Sequence, residues 1–408
     1  MRVCYFGCYE RNYPRNRVII DGLRGAGVEV VECHRPLWEL TRDKSRGYLS
    51  TGSLLRLAGE VFRVYLSLTW DYLRAGSHDL VIVGYIGQLD VLLARVLTIF
   101  RRKPIVFNPL ISLYDTLVED RGRVRAGSLR AKLLFLLDKW SCHLSDLIVL
   151  DTEEHIRYFS VSFGIPRERF RRLWVGAEEG VFSPKSQIPA FAKASAGRPN
   201  PNPPLADQIP EKEFRVLFYG KLSPLHGILR IIEAVGLLRD DNVHFTVIGT
   251  GQLSEEVREL AGRIGLKGVD FIDWVEYQEL PGQIAGADLC LGVFGEGEKA
   301  GRVIPNKVFQ ALAMGRPVIS GDSPGARELL THGKDVWLCE RGSGEAIAEA
   351  IIRLKEDEEL RQRIGQEGRR LFLERCSTEV LGKEIKRILE EMLSVTSDDV
   401  KYQRSSIK

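Results

Sequence analysis

Short apolar runs alternate with longer amphipathic stretches along most of this chain. An apolar run of about four to eight residues predicts a strand covered on both faces, and apolar residues at helical spacing predict a covering helix. This alternation occurs in each half of the chain, which is therefore predicted to be an α/β protein with two doubly wound parallel sheets. The predicted strands are 3–7, 28–33, 80–83, 104–107, 146–150, 214–219, 243–248, 269–272, 289–293 and 317–320.

A proline-rich stretch separates the two halves. Residues 184–210 contain seven prolines and show no hydrophobic period, so no packed element is predicted there. Charged segments with helical spacing follow the last predicted strand, and the residues after them are expected to fray. The predicted organisation is an N-terminal domain at 1–183, a linker or insertion at 184–212, a C-terminal domain with terminal helices at 213–393 and a disordered tail at 394–408.

The charge of the chain is spread too evenly for a nucleic-acid-binding protein. The 408 residues carry a net charge of +3, and the first 184 contain 27 basic and 21 acidic residues. A nucleic-acid-binding surface concentrates Lys and Arg along one element with interleaved aromatic residues, and no such element is present in the sequence. The mildly basic first half is compatible with peripheral contact to an anionic membrane.

The cysteines and the apolar segments predict a cytoplasmic protein. The seven cysteines are dispersed without metal-ligand spacing, so reduced thiols are expected and a metal site is not. No cleavable leader opens the sequence, and its longest apolar run, at 80–100, is interrupted by Asp90 and Arg95. We expect a protein that can lie at the inner face of the membrane without crossing it.

The segment around Pro305 reads as a helix start with the wrong charge. Proline suits the first helical position, and helix-forming residues follow it. A helix N-terminus favours a carboxylate, yet the first turn carries Lys307, with Lys299 and Arg302 just upstream. Each cation is unfavourable there by roughly 0.3–1 kcal/mol. The cluster therefore predicts a phosphate site, and the alternative is a solvated basic loop.

A second candidate loop follows the predicted strand at 214–219. Gly220 permits a tight turn, and Lys221 and His226 are predicted to point into one site at the carboxyl edge of the sheet. The alternatives are an exposed lysine and a loop histidine bonded to the backbone. A weaker glycine turn, at Gly249, follows the next strand.

Together these motifs resemble the family-four retaining glycosyltransferases, and the likeness spans almost the whole chain. The sequence Gly220-Lys-Leu, followed by His226-Gly and Ile232-Glu-Ala, is similar to the donor-phosphate loop of that family. The sequences Leu312-Ala-Met-Gly-Arg-Pro and Glu328-Leu-Leu resemble its donor helix and the segment that follows. The resemblance implies the GT-B fold, in which two Rossmann-like domains face each other across a cleft.

This sequence departs from the family pattern at two acidic positions. The family usually has two glutamates separated by seven residues, and alignment puts Arg302 at the first position and Gln310 at the second. Gln310 can still accept a hydrogen bond from a ribose hydroxyl, whereas an arginine cannot accept one. We expect Pro305, Asn306 and Lys307 to make part of the donor contacts that the two glutamates make in the family.

In the front domain the family's glycine pair after the first strand is missing. The resemblance therefore suggests that Arg15, beside Asn16, does with its side chain what backbone N–H groups commonly do. Asp115 is the candidate for orienting the acceptor or sugar hydroxyls, and its alternative reading is an ordinary helix cap. Tyr85 and Asp120 are further candidates for this side of the cleft.

The resemblance implies a retaining enzyme that moves a sugar from a nucleotide-diphosphate sugar to a lipid-linked or polysaccharide acceptor in cell-envelope glycan synthesis. Fixed cations would stabilise the departing diphosphate, so we assign catalytic roles to Lys221 and Lys307. Asp115 is assigned a catalytic role as the residue that orients the hydroxyls. Trp274 and Val275 lie where the family holds the nucleobase. No Asp-x-Asp pair occurs, so neither a metal nor a cofactor beyond the nucleotide-sugar is expected.

Two other function classes compete with this prediction. Loss of the glutamate pair is compatible with a degenerate scaffold that binds a nucleotide or a partner without turnover. A two-domain NAD-dependent oxidoreductase fits the architecture, but the chain has no Gly-x-Gly-x-x-Gly after a strand with an acidic residue about 20 positions later.

Overall fold

The computed structural model describes residues 1–37, 54–99, 103–184, 213–266 and 268–405. The chain divides into two compact units. The first comprises Met1–Trp174 with Thr378–Lys408, and the second comprises Val175–Ser377. Each unit contains one six-stranded parallel sheet, which confirms the predicted α/β class with two doubly wound sheets.

In the first unit the strand order is β2-β1-β3-β4-β5-β6, and all neighbours are parallel. The strands are β1 (Arg2–Gly7), β2 (Glu29–His34), β3 (Leu80–Val83), β4 (Ile105–Phe107), β5 (Leu147–Leu150) and β6 (Phe170–Arg172). The helices are α1 (Pro14–Gly25), α2 (Leu54–Arg74), α3 (Gln88–Thr98), α4 (Leu129–Leu144) and α5 (Glu153–Phe163), together with a π-helical turn at Asp115–Asp120. Buried apolar side chains of the strands and helices form the core.

In the second unit the order is β12-β11-β10-β7-β8-β9, again parallel throughout. Its strands are β7 (Phe214–Tyr219), β8 (Val243–Ile248), β9 (Val269–Ile272), β10 (Leu289–Leu291), β11 (Val318–Gly321) and β12 (Trp337–Cys339). Its helices are α6 (Ile228–Leu237), α7 (Ser254–Arg263), α8 (Leu280–Gly286), α9 (Glu298–Arg302), α10 (Asn306–Ala313), α11 (Pro324–Arg327), α12 (Gly344–Glu356) and α13 (Glu358–Arg375).

The sequence pattern missed the two short edge strands, β6 and β12. Each pairs with a single neighbour, β6 with β5 and β12 with β11. The sequence of β6 is Phe-Arg-Arg, which has no apolar run because an edge strand is covered incompletely. Periodicity alone therefore found the edge strands β2 and β9 but missed these two shorter ones.

The unit boundaries differ from the predicted domains. The first stretch of the first unit ends at Trp174 rather than at residue 183. The same unit also includes the C-terminal stretch that begins at Thr378. The last helix, α14 (Thr378–Ser405), packs along α1 of the first unit, although the sequence assigned residues up to 393 to the second domain. The helix also continues to Ser405, past residue 394, where a disordered tail was predicted. Most of the predicted linker, 184–212, lies outside the described residues.

Two glycines set the close approach of α1 and α14. A β-carbon added at Gly382 would overlap the carbonyl oxygen of Gly22, and one added at Gly22 would lie 2.8 Å from the Cα of Gly382. Glycine at both positions lets the two backbones touch. The atoms that an added β-carbon would meet are backbone atoms, which cannot turn aside as the end of a flexible side chain can. The C-terminal helix is thus held to the first unit by a fit that tolerates no side chain.

Replacing Gly382 by alanine is expected to lower the free energy of unfolding of the first unit by about 2 kcal/mol or more, because the helices must separate. Chemical denaturation and hydrogen exchange of α14 would measure the loss. The matched control is Gly25→Ala, at the end of α1, where an added β-carbon meets nothing within 4 Å. Equal stability of G382A and G25A would show that the helices do not pack in this way.

Candidate functional site

The strand order of the second sheet reverses beside β7, the position where open α/β sheets bind ligands. Strands β8 and β9 lie on one side of β7, and β10 lies on the other. The loops after β7 and β10 touch backbone to backbone: the N–H of Phe294 donates to the carbonyl of His226 at 3.2 Å, and that of Gly295 donates to Leu225 at 3.2 Å. The site is therefore built from two loops at one edge of the sheet.

Glycines allow the loops at this edge to approach each other. Gly227 has a φ of +63°, and a β-carbon there would lie 2.6 Å from the carbonyl carbon of Phe294. Gly249, with a φ of +135°, sits so close to the preceding loop that a β-carbon would overlap the carbonyl oxygen of Gly220. The predicted turns at Gly220 and Gly249 thus belong to one packed arrangement.

Lys307 lies in the first turn of α10 and points towards the Gly220 loop. Its side chain is buried, with 5% exposed, and its Nζ has no hydrogen-bond partner among the residues that the structure describes. The Nζ stands 3.7 Å from the ring centroid of Phe218 and 3.1 Å from where a β-carbon of Gly220 would be. The hydroxyl of Tyr219 donates to the backbone carbonyl of Lys307 at 3.0 Å, which fixes the helix start against β7.

Burial holds the pKa of Lys307 well below its ordinary value of 10.5, because the charged form is desolvated. The first turn of α10 contains no acidic residue, and its N-cap, Pro305, makes no side-chain hydrogen bond. An ammonium group beside the positive end of a helix dipole is doubly unfavourable in the absence of an anion. This arrangement can bind a phosphate group, which would satisfy the ammonium and the helix N–H groups together.

The alternative of a solvated basic loop is wrong. Lys299 and Arg302 lie in helix α9, and the side chains of Lys299 and Lys307 are both buried. The helix start at Asn306 agrees with the sequence to within one residue, with Pro305 as the N-cap rather than the first helical residue. The two lysines of this cluster are therefore buried rather than solvated.

His226 and Lys221 belong to the loop that Gly220 begins. The carbonyl of Lys221 is 2.5 Å from Nδ1 of His226, and a β-carbon at Gly220 would be 3.6 Å from Cε1 of that ring. His226 therefore contacts the backbone, as the alternative of a loop histidine bonded to the backbone requires. Its ring nevertheless lies beside Gly220. The side chain of Lys221 is exposed. Gly220, His226 and Lys307 are therefore brought together as predicted, and the reach of Lys221 into the site stays a prediction.

The remaining candidates of the second unit lie around this centre. Asn306 and Gln310 are one turn apart on α10, with Gln310 buried. Trp274 follows β9, is half exposed and donates from its indole to Glu276 at 3.2 Å, while its neighbour Val275 is buried. Their contacts with a nucleotide stay predictions.

Sequence reasoning missed three residues that build the site. Phe218 and Tyr219 read only as strand residues of β7, yet one lies against the Lys307 ammonium and the other holds its backbone. Arg341 donates from Nη1 to the carbonyls of Gly295 and Gly297 at 3.1 and 3.2 Å, which anchors the loop leading into α9. No local motif could have revealed these contacts, because their partners are 44 to 89 positions away in the chain.

In the first unit, Arg15 has a structural role that the sequence did not predict. Its fully buried guanidinium donates to Oδ1 of Asn108 at 2.9 Å and to the carbonyls of Leu173 and Trp174 at 2.6 Å. Burial lowers the pKa of Arg15 to about 10. The side chain expected to contact a ligand instead joins the ends of the β4 and β6 segments. Only Nη2 lacks a partner within the described ranges, so ligand contact stays a prediction.

Asn16 has a similar structural role. Its Oδ1 accepts hydrogen bonds from the Tyr5 hydroxyl at 2.8 Å and the Tyr85 N–H at 3.0 Å. Its Nδ2 donates to the carbonyls of Glu10 and Tyr85 at 2.8 and 2.7 Å. These bonds tie the loops after β1 and β3 together. Asn16 therefore positions Tyr85 at the carboxyl edge of the first sheet.

Asp115 and Asp120 begin and end the π-helical turn that follows β4. Asp115 is fully buried, and its N–H donates to Oγ of Ser112 at 3.0 Å. The carboxylate of Asp138 organises the approach to this turn by accepting from the Ser112 hydroxyl and the N–H groups of Leu113 and Tyr114. Burial raises the pKa of Asp138 to about 6. The acceptor-side role of Asp115 stays a prediction.

Within the described ranges no group of His, Cys, Asp and Glu could hold a metal ion. In the same ranges no helix is long and apolar enough to cross a bilayer. A cavity of about 500 Å³ opens between α6, α7 and the loop at 294–297, but Lys307 does not line it.

Most of the second unit is similar to known glycosyltransferases. The family described as glycosyl transferases group 1 matches residues 205–371, which contain the Gly220 loop, Lys307 and all of α10. The lipopolysaccharide core biosynthesis glycosyltransferase LpsD of Rhizobium meliloti is 27% identical over 199 residues, covering 48% of this chain and 55% of LpsD. An uncharacterized glycosyltransferase of Methanocaldococcus jannaschii, MJ1069, is 25% identical over 187 residues, covering 45% of this chain and 47% of MJ1069.

The chain spans about half the length of these relatives in sequence, but the structural likeness covers nearly all of it. HepE of Anabaena, solved in complex with UDP and glucose, superposes with a TM-score of 0.65 at 14% identity, over 96% of this chain and 100% of HepE. At that identity the likeness establishes the fold alone. Residues 205–371 thus match the group 1 glycosyltransferases, and the chain has the GT-B fold, with one Rossmann-like sheet in each unit.

Proposed function

We propose that this chain is a retaining glycosyltransferase that moves a sugar from a nucleotide-diphosphate sugar to a lipid-linked or polysaccharide acceptor in cell-envelope glycan synthesis. The observation that carries the proposal is the buried amine of Lys307, which has no hydrogen-bond partner in the described part of the chain and lies at an uncapped helix start. Burial of such a group is costly unless an anion accompanies it, and a diphosphate supplies that anion.

The donor chemistry follows from where negative charge develops. When the bond between the anomeric carbon and the diphosphate oxygen breaks, the departing diphosphate gains charge. The Lys307 ammonium and the first N–H groups of α10 are fixed beside the Gly220 loop, so they need little reorganisation to stabilise that charge. The His226 ring also lies beside Gly220, and we assign the exposed Lys221 to the same diphosphate. No metal ion is required by this scheme.

The acceptor hydroxyl attacks the anomeric carbon from the face that the diphosphate leaves. A bond forms from the acceptor oxygen to the anomeric carbon, the bond to the diphosphate oxygen breaks, and the hydroxyl proton passes to that oxygen. No protein nucleophile takes part. We assign orientation of the hydroxyls to Asp115 in the first unit. The name of LpsD, a lipopolysaccharide core enzyme, supports an envelope glycan as the acceptor.

A degenerate scaffold is the alternative that the altered acidic positions suggested. Arg302 and Gln310 stand where the two glutamates are usual, but the relatives that match are glycosyltransferases, which favours catalysis. A scaffold would bind a nucleotide diphosphate without releasing one from a nucleotide-sugar. Release of nucleoside diphosphate from a nucleotide-sugar therefore distinguishes an active glycosyltransferase from a scaffold.

A donor panel tests the proposal. Thermal unfolding of the full chain would be followed with nucleoside diphosphates, the matching monophosphates and the nucleotide-sugars. A ligand that binds the native state raises the midpoint, so diphosphates should raise it more than monophosphates. Proton NMR of the transferred sugar then reports its anomeric configuration. No response to any diphosphate would reject the donor site, and inversion of the anomeric centre would reject retention.

Donor binding is expected to take up a proton at Lys307. Desolvation lowers the pKa of Lys307 in the free protein, and a bound diphosphate would raise it again. Between those two pKa values the complex holds one more proton than the free protein, so affinity should fall as pH rises through this interval. Calorimetry in buffers of different ionisation enthalpy measures the uptake. The signal should vanish in Lys307→Met, and its persistence there would assign the proton to another group.

A further inference from the structure

Phe218 presents the face of its ring to the amine of Lys307. The Nζ atom stands 3.7 Å from the ring centroid, inside the range of about 6 Å over which an aromatic ring attracts a cation. The ring is 1% exposed and the lysine 5%, so the two groups meet away from water. Exclusion of water strengthens the attraction between an ammonium and the negative face of a ring. The contact can therefore do more than fill space.

The surroundings of the amine supply no counter-charge within the described ranges. Its Nζ has no hydrogen-bond partner there, and burial by itself accounts for the lowered pKa of Lys307. The Tyr219 hydroxyl donates to the backbone carbonyl of Lys307. The His226 imidazole and the Phe218 ring are T-shaped to each other, with centroids 5.9 Å apart and ring planes at 73°. These two neighbours therefore leave the ammonium charge unbalanced.

The other described elements beside α10 bring no counter-charge to the amine either. In β10 the titratable residue is Cys290, whose pKa burial raises to about 12, and β11 contains none. Helix α13 contributes Arg369, which donates to a backbone carbonyl at the far end of α10. Lys299 and Arg302 of α9 have the same sign as the ammonium. The ring face of Phe218 is thus the electron-rich group on which the buried amine rests.

The backbone of β7 fixes this ring. Phe218 is the last residue but one of the strand, and it pairs with Val247 of β8 in the parallel ladder. The amine that rests on the ring also touches the turn after the strand, because a β-carbon at Gly220 would lie 3.1 Å from Nζ and 3.3 Å from Cε of Lys307. A strand residue therefore holds the ammonium beside the Gly220 turn, and side chains held by strands are placed more precisely than those held by loops.

We propose that Phe218 is a positioning residue for the donor diphosphate: its ring face keeps the Lys307 amine protonated and beside Gly220 while no donor is bound. This inference rests on the proposed function of Lys307. The negative face of the ring favours the ammonium over the neutral amine, so it offsets part of the desolvation. An incoming diphosphate then meets a cation that is already charged and in place, and binding needs no further ordering of that side chain.

Removing the ring should weaken diphosphate binding in a pH-dependent way. In Phe218→Leu the pKa of Lys307 should fall below its wild-type value, because desolvation remains and the ring face is gone. A diphosphate binds the protonated form, so affinity should fall about tenfold at pH values above the free-protein pKa of Lys307 in both proteins. At pH values below both, the amine is protonated in either protein and the affinities should agree. A ring that only fills space would give a loss that does not vary with pH.

Two measurements on the full chain test the proposal. Carbon-13 NMR of lysine-labelled protein follows the titration of Lys307, whose signal is the one missing from Lys307→Met. Calorimetry over a range of pH follows binding of inorganic pyrophosphate, a probe that carries the diphosphate without a base or a sugar. The matched control is Phe245→Leu on β8, because that ring is also 1% exposed and belongs to the same core. The K307M and K307M/F218L proteins complete a double-mutant cycle.

We expect F218L, and not F245L, to lower the pKa of Lys307 and to lose about tenfold in pyrophosphate affinity at high pH. In the K307M background the same ring substitution should change affinity by less than about twofold. An unchanged Lys307 titration in F218L, or an equal loss of affinity with and without Lys307, would overturn the proposal. Unfolding midpoints show which variants are folded, and Phe218→Met replaces F218L in both measurements if leucine is not tolerated.

Failure of this proposal can be told apart from failure of the proposed function. A wild type that binds no pyrophosphate at any pH would contradict the donor site itself. Binding by the wild type with no difference between F218L and F245L would contradict only the role of the ring. The Lys307 titration is measured in the free protein, so it reports on the ring whether or not a diphosphate binds.

Discussion

Replacing Lys307 by methionine should lower kcat/KM for nucleotide-sugar turnover by about 10²–10³-fold, the cost of losing one preorganised donor to a developing oxyanion. Methionine has a similar length and keeps the packing against Phe218, so the variant removes the charge with little change in shape. Steady-state release of nucleoside diphosphate measures the effect. Lys334→Met, at an exposed position of the same unit, is the matched control and should turn over as the wild type does.

The same substitution should stabilise the empty protein. A buried donor without a hydrogen-bond partner costs about 1–3 kcal/mol, and more when it is charged, so an apolar side chain of similar volume removes that cost. The folded-state pKa of Lys307 is lowered, so the unfolded chain binds more protons, and wild-type stability rises with pH up to the ordinary value of 10.5. The advantage of K307M should therefore be largest at low pH and shrink as pH approaches 10.5.

Loss of activity together with gain of stability is the combination that separates a binding role from a structural one. A lysine that merely supports the fold would give a less stable K307M protein. Denaturant unfolding of wild type and variant at two pH values, with K334M as the control, decides between them.

Gly249→Ala should be the most damaging single substitution in the second unit. The residue has a φ of +135°, which L-residues rarely adopt, and an added β-carbon would overlap the carbonyl oxygen of Gly220. We expect the free energy of unfolding to fall by about 3 kcal/mol or more, because the backbone is strained and both loops must separate. Nucleotide binding should fall with it, since Gly220 adjoins Lys307. Chemical denaturation and calorimetry would measure both effects.

The control for this prediction is Gly262→Ala on α7. An added β-carbon there meets nothing within 4 Å, and helical alanine is favoured over glycine by up to about 1 kcal/mol. G262A should therefore be as stable as the wild type or more stable. Wild-type stability in G249A would contradict the close packing of the two loops.

The sequence predicted the central strands and the Lys307 site because both follow from local rules. Four to six consecutive apolar residues specify a buried strand, and a cation in the first turn of a helix violates a dipole preference that needs no tertiary information. The glycine loop at Gly220 was found in the same way. These features can be read within about twenty residues of chain.

The features that the sequence missed depend on distant partners. The apolar period of α14 shows that one face is buried, but only the fold shows that Gly382 meets Gly22 rather than the second unit. From the sequence alone, Arg15 is a cation that could bind a ligand. Its hydrogen-bond partners, the carbonyls of Leu173 and Trp174, are 158 and 159 positions away in the chain. Phe218 is indistinguishable from any other strand residue until Lys307 is placed over it.

The most direct test of the donor site is release of nucleoside diphosphate from a nucleotide-sugar by the wild type and by K307M, with K334M alongside. The proposed mechanism predicts release by the wild type and K334M and a loss of about 10²–10³-fold in K307M. Equal release by wild type and K307M would show that the buried lysine does not bind the departing diphosphate.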